Sequence, residues 1–309
     1  MDEPRVAIVR SYRSSPGGTP ARAVHARTVG LRRDMSAEQA FRLTVLECLA
    51  QVSSNAPAIR ARDPEGVHQV RVGLRRLQMA LKSFGEESPA FKALGKRGRA
   101  IASTFGPARE LDVFAEELLA PVLAKYGAND SFAAFQLALR HARGEAWDDA
   151  LSEVHNPEFS TFLNDIAGAI EQGPEGHGKI GKLSRRSLAA HWDKVRKRGK
   201  RVKKGYDERT HRLRIALKKL RYAAEFFAPL YPQKKTAHYL RALRNLLGKL
   251  GEANDVHGIA GTLAHIGGGE EIRFAAGAVS GWHGSREKRL TKKALQDWRK
   301  FKKRAPFWE

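Results

Sequence analysis

Apolar residues recur every three or four positions along most of this chain. No segment alternates with period two over a stretch rich in Val, Ile or Thr, so the pattern predicts helices and no sheet. Ser36 and Gln39 have the spacing of a capping box, and the apolar stripe that follows them runs to about Val52. A turn at Asp63–Gly66 leads into a long amphipathic helix ending near Phe84. Further helices are expected over 91–104, 111–125, 132–154 and from Pro157 through Ile170. The strongest break is at 173–178, where three glycines, a proline and a histidine interrupt the periodicity. The pattern then restarts over 183–204, 211–227, 238–250, 259–266, 271–289 and 291–303, and Phe307 and Trp308 form a terminal apolar anchor. Residues 1–35, rich in Arg, Ser, Pro and Gly without apolar periodicity, are expected to form a flexible basic tail.

One stretch occurs twice. His68 to Phe84 can be laid over His211 to Phe227 at an offset of 143 without a gap: Arg71 meets Arg214, Arg75 and Arg76 meet Lys218 and Lys219, and Phe84 meets Phe227. At about 100° per residue, Val70, Leu74, Leu77, Leu81 and Phe84 share one face, as do Leu213, Leu217, Leu220, Ala224 and Phe227. His68, Arg71 and Arg75 fall on the opposite face, matched by His211, Arg214 and Lys218. The likeness continues past the helix, since 105–110 aligns with 250–255 at an offset of 145. Helix and turn residues recurring together predict a tandem duplication. The expected architecture is all-α, with two tandem-duplicated helical bundles, residues 36–172 and 182–309, related by pseudo-twofold symmetry.

Charge alters what these helices imply. The 309-residue chain carries 56 Lys and Arg against 33 Asp and Glu, a net charge of +23. Residues 36–170 hold 15 basic against 17 acidic residues, whereas 171–309 hold 34 against 13. Such a field attracts polyanions without naming them: nucleic acid, an anionic membrane face and a phosphate polymer all fit. With 42% hydrophobic residues the chain can build a sizeable core. No apolar run approaches the ~18 residues of a membrane span, and no secretory leader is recognisable at the N-terminus, so a cytoplasmic location is expected. The lone Cys48 lies on an apolar helix face with Phe41, Val45, Leu49 and Val52, where it reads as a core thiol.

An exposed helix usually interleaves Glu with Lys. Positions 68, 71, 75, 78 and 82 instead read His, Arg, Arg, Gln and Lys, and their counterparts read His, Arg, Lys, Arg and Glu, so only Glu225 interrupts the cations. Steps of three and four residues space these charges about 4.5–6 Å apart along the axis, which suits a ligand charged every few ångströms. Arginine's fork pairs with phosphate oxygens, lysine acts as a point charge, and the histidines can donate to the same oxygens. Lys82 extends the first ladder. Tyr222 lies at the edge of the second, and Arg109 is open between contacting a ligand and pairing with Glu110 or Asp112. Asp255 reads as holding a turn or a basic residue.

The two histidine-headed helices, the glycine turns ending in Arg109–Glu110 and Asn254–Asp255, and the ending from Trp298 to Trp308 resemble the CHAD family, the conserved-histidine α-helical domain. The resemblance spans roughly residues 36–309 and departs from the family pattern at Glu110, where aspartate is usual. It implies an all-helical fold of two related bundles that binds inorganic polyphosphate, with some members residing on polyphosphate granules. The ligands it implies are His68, Arg71, Arg75, Arg76, His211, Arg214, Lys218, Lys219 and Arg221, to which the ladder reading adds Lys82, Arg109 and Tyr222. Such a protein is expected to be a binding module rather than an enzyme, needing no cofactor or metal and no membrane.

Two other readings compete. Non-specific nucleic-acid binding suits the basic stretch 191–221, although few aromatics are present there to stack bases. A phosphohydrolase would need a carboxylate cluster for a metal or an activated nucleophile, and Glu65, Glu110, Asp112, Glu225 and Asp255 are scattered along the chain.

Overall fold

The structure is a computed structural model that describes residues 22–85, 88–127, 129–173, 178–203 and 205–309. It is all-helical, and among the described residues no strand forms; a single bridge joins Ser36 to Lys179. In chain order the helices are α1 (Ala37–Ser53), α2 (Ala56–Arg60), α3 (Pro64–Phe84), α4 (Pro89–Thr104), α5 (Gly106–Val113), a π-helical segment (Phe114–Leu119), α6 (Ala120–Tyr126), α7 (Asp130–His155), α8 (Pro157–Gln172), α9 (Ile180–Gly199), α10 (Glu208–Phe227), α11 (Gln233–His257), α12 (Ile259–Ile266) and α13 (Arg273–Phe301). Two compact units result. One comprises the chain up to Arg109, Ala146–Ser187 and Tyr222–Tyr231; the other comprises Glu110–Glu145, Leu188–Arg221 and Pro232–Glu309. These units do not follow the division into consecutive halves expected from the repeat.

In the first unit α3 packs between α1 and α4, and α8 covers α1 and α4. The capping box forms as expected: the Ser36 hydroxyl accepts from the Gln39 backbone and the Gln39 side chain accepts from Ser36 N–H. α1 and α3 approach closely at Gly73, where an added Cβ would lie 2.7 Å from Val52 Cγ2, so only glycine permits this crossing. Asp63 caps α3 by accepting from Glu65 N, with Pro64 in the first turn, so the expected turn at 63–66 is the helix start itself. Val70, Leu74, Leu77, Leu81 and Phe84 are all buried. Phe84 meets Phe227, its partner in the repeat, at 5.8 Å between ring centroids. Cys48 is fully buried, and burial pushes its thiol up to about 12, which suits a packing residue.

Residues 22–35 depart from the expected tail. They run without helix or strand along the first unit and turn at 33–35, burying Val29, Leu31 and Met35. The Asn55 side chain clamps the Val24 backbone, accepting from its N–H and donating to its carbonyl, each at 2.8 Å. Arg33 Nε donates to the Leu230 carbonyl at 2.8 Å. Three spaced apolar residues in a non-helical segment leave no helical period to read, which is why the sequence pattern misses them. The part of the tail before residue 22 lies outside the described residues, as does most of the break at 173–178.

In the second unit α11 packs lengthwise on α13. The glycine turn expected at Gly251 is absent, and α11 continues through to His257. A mid-helix glycine costs about 1 kcal/mol, and the burial of Leu250, Ala253 and Val256 on one stripe outweighs it. Likewise 271–289 and 291–303 merge into α13, whose buried stripe of Leu290, Ala294, Trp298 and Phe301 is unbroken. Trp298 and Phe301 pack on Trp192, and Phe307 and Trp308 pack on Tyr239 as the anchor reading anticipates. The expected helix over 111–125 is interrupted by the π-helical turn, which places Phe114, Leu118 and Leu119 inward. There the fully buried His283 of α13 donates through Nε2 to the Leu118 carbonyl at 2.8 Å.

Candidate functional site: two cationic helix faces

The first face lies on α3. With Val70, Leu74, Leu77 and Leu81 turned into the core, helical geometry leaves His68, Arg71 and Arg75 half-buried on the polar side and Lys82 exposed. Arg71 is anchored: its Nη1 donates to the Ala102 carbonyl at 3.1 Å, in the last turn of α4, where the carbonyl end of the helix favours a cation. Gly106, just beyond that turn, makes room for it, since a Cβ there would lie 3.0 Å from the same Nη1. Arg75 has no ion pair among the described residues. Cations held on one half-buried face, where their rotamers are limited, repel one another more than freely solvated ones do.

Arg76 does not join this face. It is 5% exposed, with Nη1 donating to Gln51 Oε1 at 2.7 Å and Nη2 to the Arg27 carbonyl at 3.4 Å, and its guanidinium lies 5.4 Å from the Phe226 ring centre. Gln51 in turn donates to Gln69, which donates to Glu65. One residue after Arg75 the helix has turned about 100°, so Arg76 becomes an internal strut. Tyr222, 4% exposed, is likewise a core residue rather than an edge contact.

The second face lies on α10, in the other unit. Leu213, Leu217 and Leu220 are fully buried, His211, Arg214, Lys218 and Arg221 are half-buried, and Lys219 is exposed. His211 is held by Asn254. The Asn254 amide donates through Nδ2 to Asp255 at 3.1 Å, which orients its Oδ1 to accept from Tyr206 O–H at 3.0 Å and from His211 Nδ1 at 3.1 Å. That acceptor places the proton of neutral His211 on Nδ1, so protonation would add an N–H donor at Nε2. Burial pushes the Tyr206 phenol up to about 12 against the pull of the nearby Arg214, and Tyr206 stays a donor. Arg214 Nε is itself buried without a hydrogen-bond partner, and no ion pair involves Arg214 among the described residues. Asn254 and Asp255 thus sit inside α11 as a bracket for the face, rather than at a turn. Tyr206 was not legible in the sequence because it precedes the helix and belongs to no period.

Arg109 is half-buried on α5, and Asp112, one of the partners considered for it, is fully buried and paired with Arg143 at 2.6 Å. The remaining acids do not converge. Among the described residues no three His, Cys, Asp or Glu side chains come together to hold a metal ion, and no helix is long and apolar enough to cross a membrane.

Fold and faces together define an all-helical domain that displays ordered cations on half-buried helix faces. The chain belongs to the CHAD family, in which polyphosphate binding is a general property: the CHAD domain model matches residues 44–264. The structure is similar to the crystal structure of the CHAD domain from the plant Ricinus communis, with a TM-score of 0.77 and 28% identity, covering 89% of this chain and 96% of that one. It also resembles PptA from Streptomyces chartreusis in fold, with a TM-score of 0.67 and 15% identity, covering 86% of this chain and all of the other. No curated protein matches the sequence.

Proposed function

We propose that this chain binds inorganic polyphosphate through the cationic faces of α3 and α10, acts without a catalytic step of its own, and associates with polyphosphate granules in the cytoplasm. The observation that carries this reading is the state of Arg75 and Arg214. Both are half-buried on polar helix faces, and neither has an ion pair among the described residues. Each is a confined cation without an ion-pair partner on its own helix face, a state that a bound polyanion relieves. His68, Arg71, Arg75 and Lys82 would serve one face and His211, Arg214, Lys218, Lys219 and Arg221 the other, with Arg109 a further candidate.

The test is titration with polyphosphate of defined length against wild type, Arg71→Glu with Arg75→Glu, and Arg214→Glu with Lys218→Glu. Because Arg71 also holds Ala102, Arg75→Glu with Lys82→Glu serves as a second variant of the first face. Each is expected to weaken binding by about tenfold or more, at about 1.5–3 kcal/mol per charged hydrogen bond, while helical content by circular dichroism is unchanged. Wild-type affinity should fall steeply with salt as counterions are released. Unchanged binding by all three variants would overturn the assignment. Equal competition by single-stranded RNA of matched charge would favour a general polyanion binder instead.

A further inference from the structure

The C-terminal half of α13 carries a third cationic face, outside the stretch that matches the family model, which ends at residue 264. Lys288, Arg289, Lys292, Lys293, Arg299 and Lys300 are all exposed. On the helical wheel they share an arc of about 140° and run along about 18 Å of axis. Within that arc the one residue that is not a cation is Gln296, also exposed.

The two acids of this half-helix are turned away from the arc and engaged elsewhere. Glu287 accepts from His257 at 3.3 Å, and Asp297 is ion-paired with Lys249, so α11 takes both carboxylates. The buried stripe of Leu290, Ala294, Trp298 and Phe301 fixes the rotation of the helix and therefore which side the cations show.

A solvated surface helix is the simpler explanation and accounts for part of this. Arg299 and Lys300 stand in the last turn, where cations complement the helix dipole. The dipole does not reach Lys288, Arg289, Lys292 and Lys293, which lie two to three turns earlier. There the pairs 288/292 and 289/293 set like charges four residues apart, which destabilises a helix by about 0.2–0.5 kcal/mol each. No aromatic side chain stands in the arc, because Trp298 and Phe301 face the core, so the face offers nothing on which to stack a base.

We propose that this outer face of α13 is a second, independent contact for a linear phosphate polymer, specifically inorganic polyphosphate, weaker and more salt-sensitive than the α3 and α10 faces because its cations are solvated rather than half-buried. The ligand assignment rests on the polyphosphate reading above; the existence of a separate anion-binding face does not.

The experiment uses the full chain with Lys288→Gln, Lys292→Gln, Lys293→Gln and Arg299→Gln combined. Glutamine keeps helix propensity close to that of lysine and arginine. Isothermal titration with short polyphosphate at low salt is expected to show two classes of site in wild type. In the variant the weaker class is lost and the tighter class keeps its dissociation constant within about twofold. With long polyphosphate, the slope of log affinity against log salt should fall by about 3 in the variant, roughly 0.7–0.9 per cation removed. Persistence of the weak class, or an unchanged salt slope, would overturn the proposal. So would equal loss of both classes with native circular dichroism, because the faces would not be independent. Loss of the tight class alone in the α3 and α10 variants leaves this face standing, so the two readings fail separately. Single-stranded RNA of equal charge displacing polyphosphate from the weak class at equal concentration would overturn the choice of ligand.

Discussion

Arg75 and Arg76 are adjacent and of one kind, yet their surroundings are opposite. Arg75 stands half-buried on the polar side of α3, whereas Arg76 is closed in by Gln51, the Arg27 carbonyl and the Phe226 ring. Replacing Arg76 with leucine removes the donor from Gln51 Oε1, a buried acceptor, at about 1–3 kcal/mol for a group left unsatisfied, while the partly exposed Arg27 carbonyl can turn to water. Urea unfolding of Arg76→Leu is therefore expected to show a loss of about 1–3 kcal/mol, with polyphosphate affinity of the folded fraction unchanged. Arg75→Gln should do the reverse, holding stability within about 0.5 kcal/mol and weakening binding several-fold. If Arg76→Leu unfolds as wild type does, the strut role is wrong. The difference between these two residues was only half legible beforehand. Periodicity places Arg75 opposite the apolar stripe and Arg76 about 100° further round, but the acceptors that capture Arg76 come from residues 25 and 49 positions away in sequence, and no local pattern encodes them.

At the scale of elements, the helices were readable wherever an apolar stripe recurs at helical spacing and a cap punctuates it. The first ladder helix is an example: Asp63 and Pro64 start it, Gly85 ends it, and five apolar residues orient it. Breaks were over-read at Gly251 and around Leu290, because local residue preference of about 1 kcal/mol cannot compete with a continued buried stripe. The π-helical turn was invisible, since it depends on a partner from far along the chain. His283 supplies that partner, and burial holds its imidazole below the ordinary histidine range of 6.5, while its bond to Leu118 works in the other direction. The unfolded chain therefore takes up the proton at higher pH than the folded one does. The stability His283 contributes is complete above about pH 6.5 and declines as the pH falls through and below that value. His283→Gln should flatten the acid limb of a thermal-melting profile between about pH 7 and 5. An acid limb identical to that of wild type would remove His283 as its source.

Over the whole molecule, the charge is sorted rather than spread. The first ladder belongs to a stretch of chain with slightly more acids than bases, yet its polar face carries cations, while α13 turns its two acids toward α11. Net charge alone signals attraction to polyanions; the placement of each carboxylate decides where they can land. That placement was legible for α3 and α10, because the repeat exposed it. For α13 it was not, because the sequence shows the acids among the lysines without showing which side they face.

The non-helical segment 22–35 has a practical consequence for anyone cutting this protein down. The family likeness begins at residue 44, inside α1, and a boundary chosen there or at Ser36 looks safe by similarity. It would remove the carbonyl of Arg27 from Arg76, the backbone of Val24 from Asn55, and the apolar cover of Val29 and Leu31 from the core. A product starting at Ser36 is expected to lose several degrees of melting temperature and to gain sensitivity to proteolysis near α2. A product starting at residue 22 keeps all of these contacts and is expected to melt above the one starting at Ser36. Equal melting of these products would show the segment to be dispensable; otherwise the smallest useful version of this domain is longer at its N-terminus than the family-model match suggests.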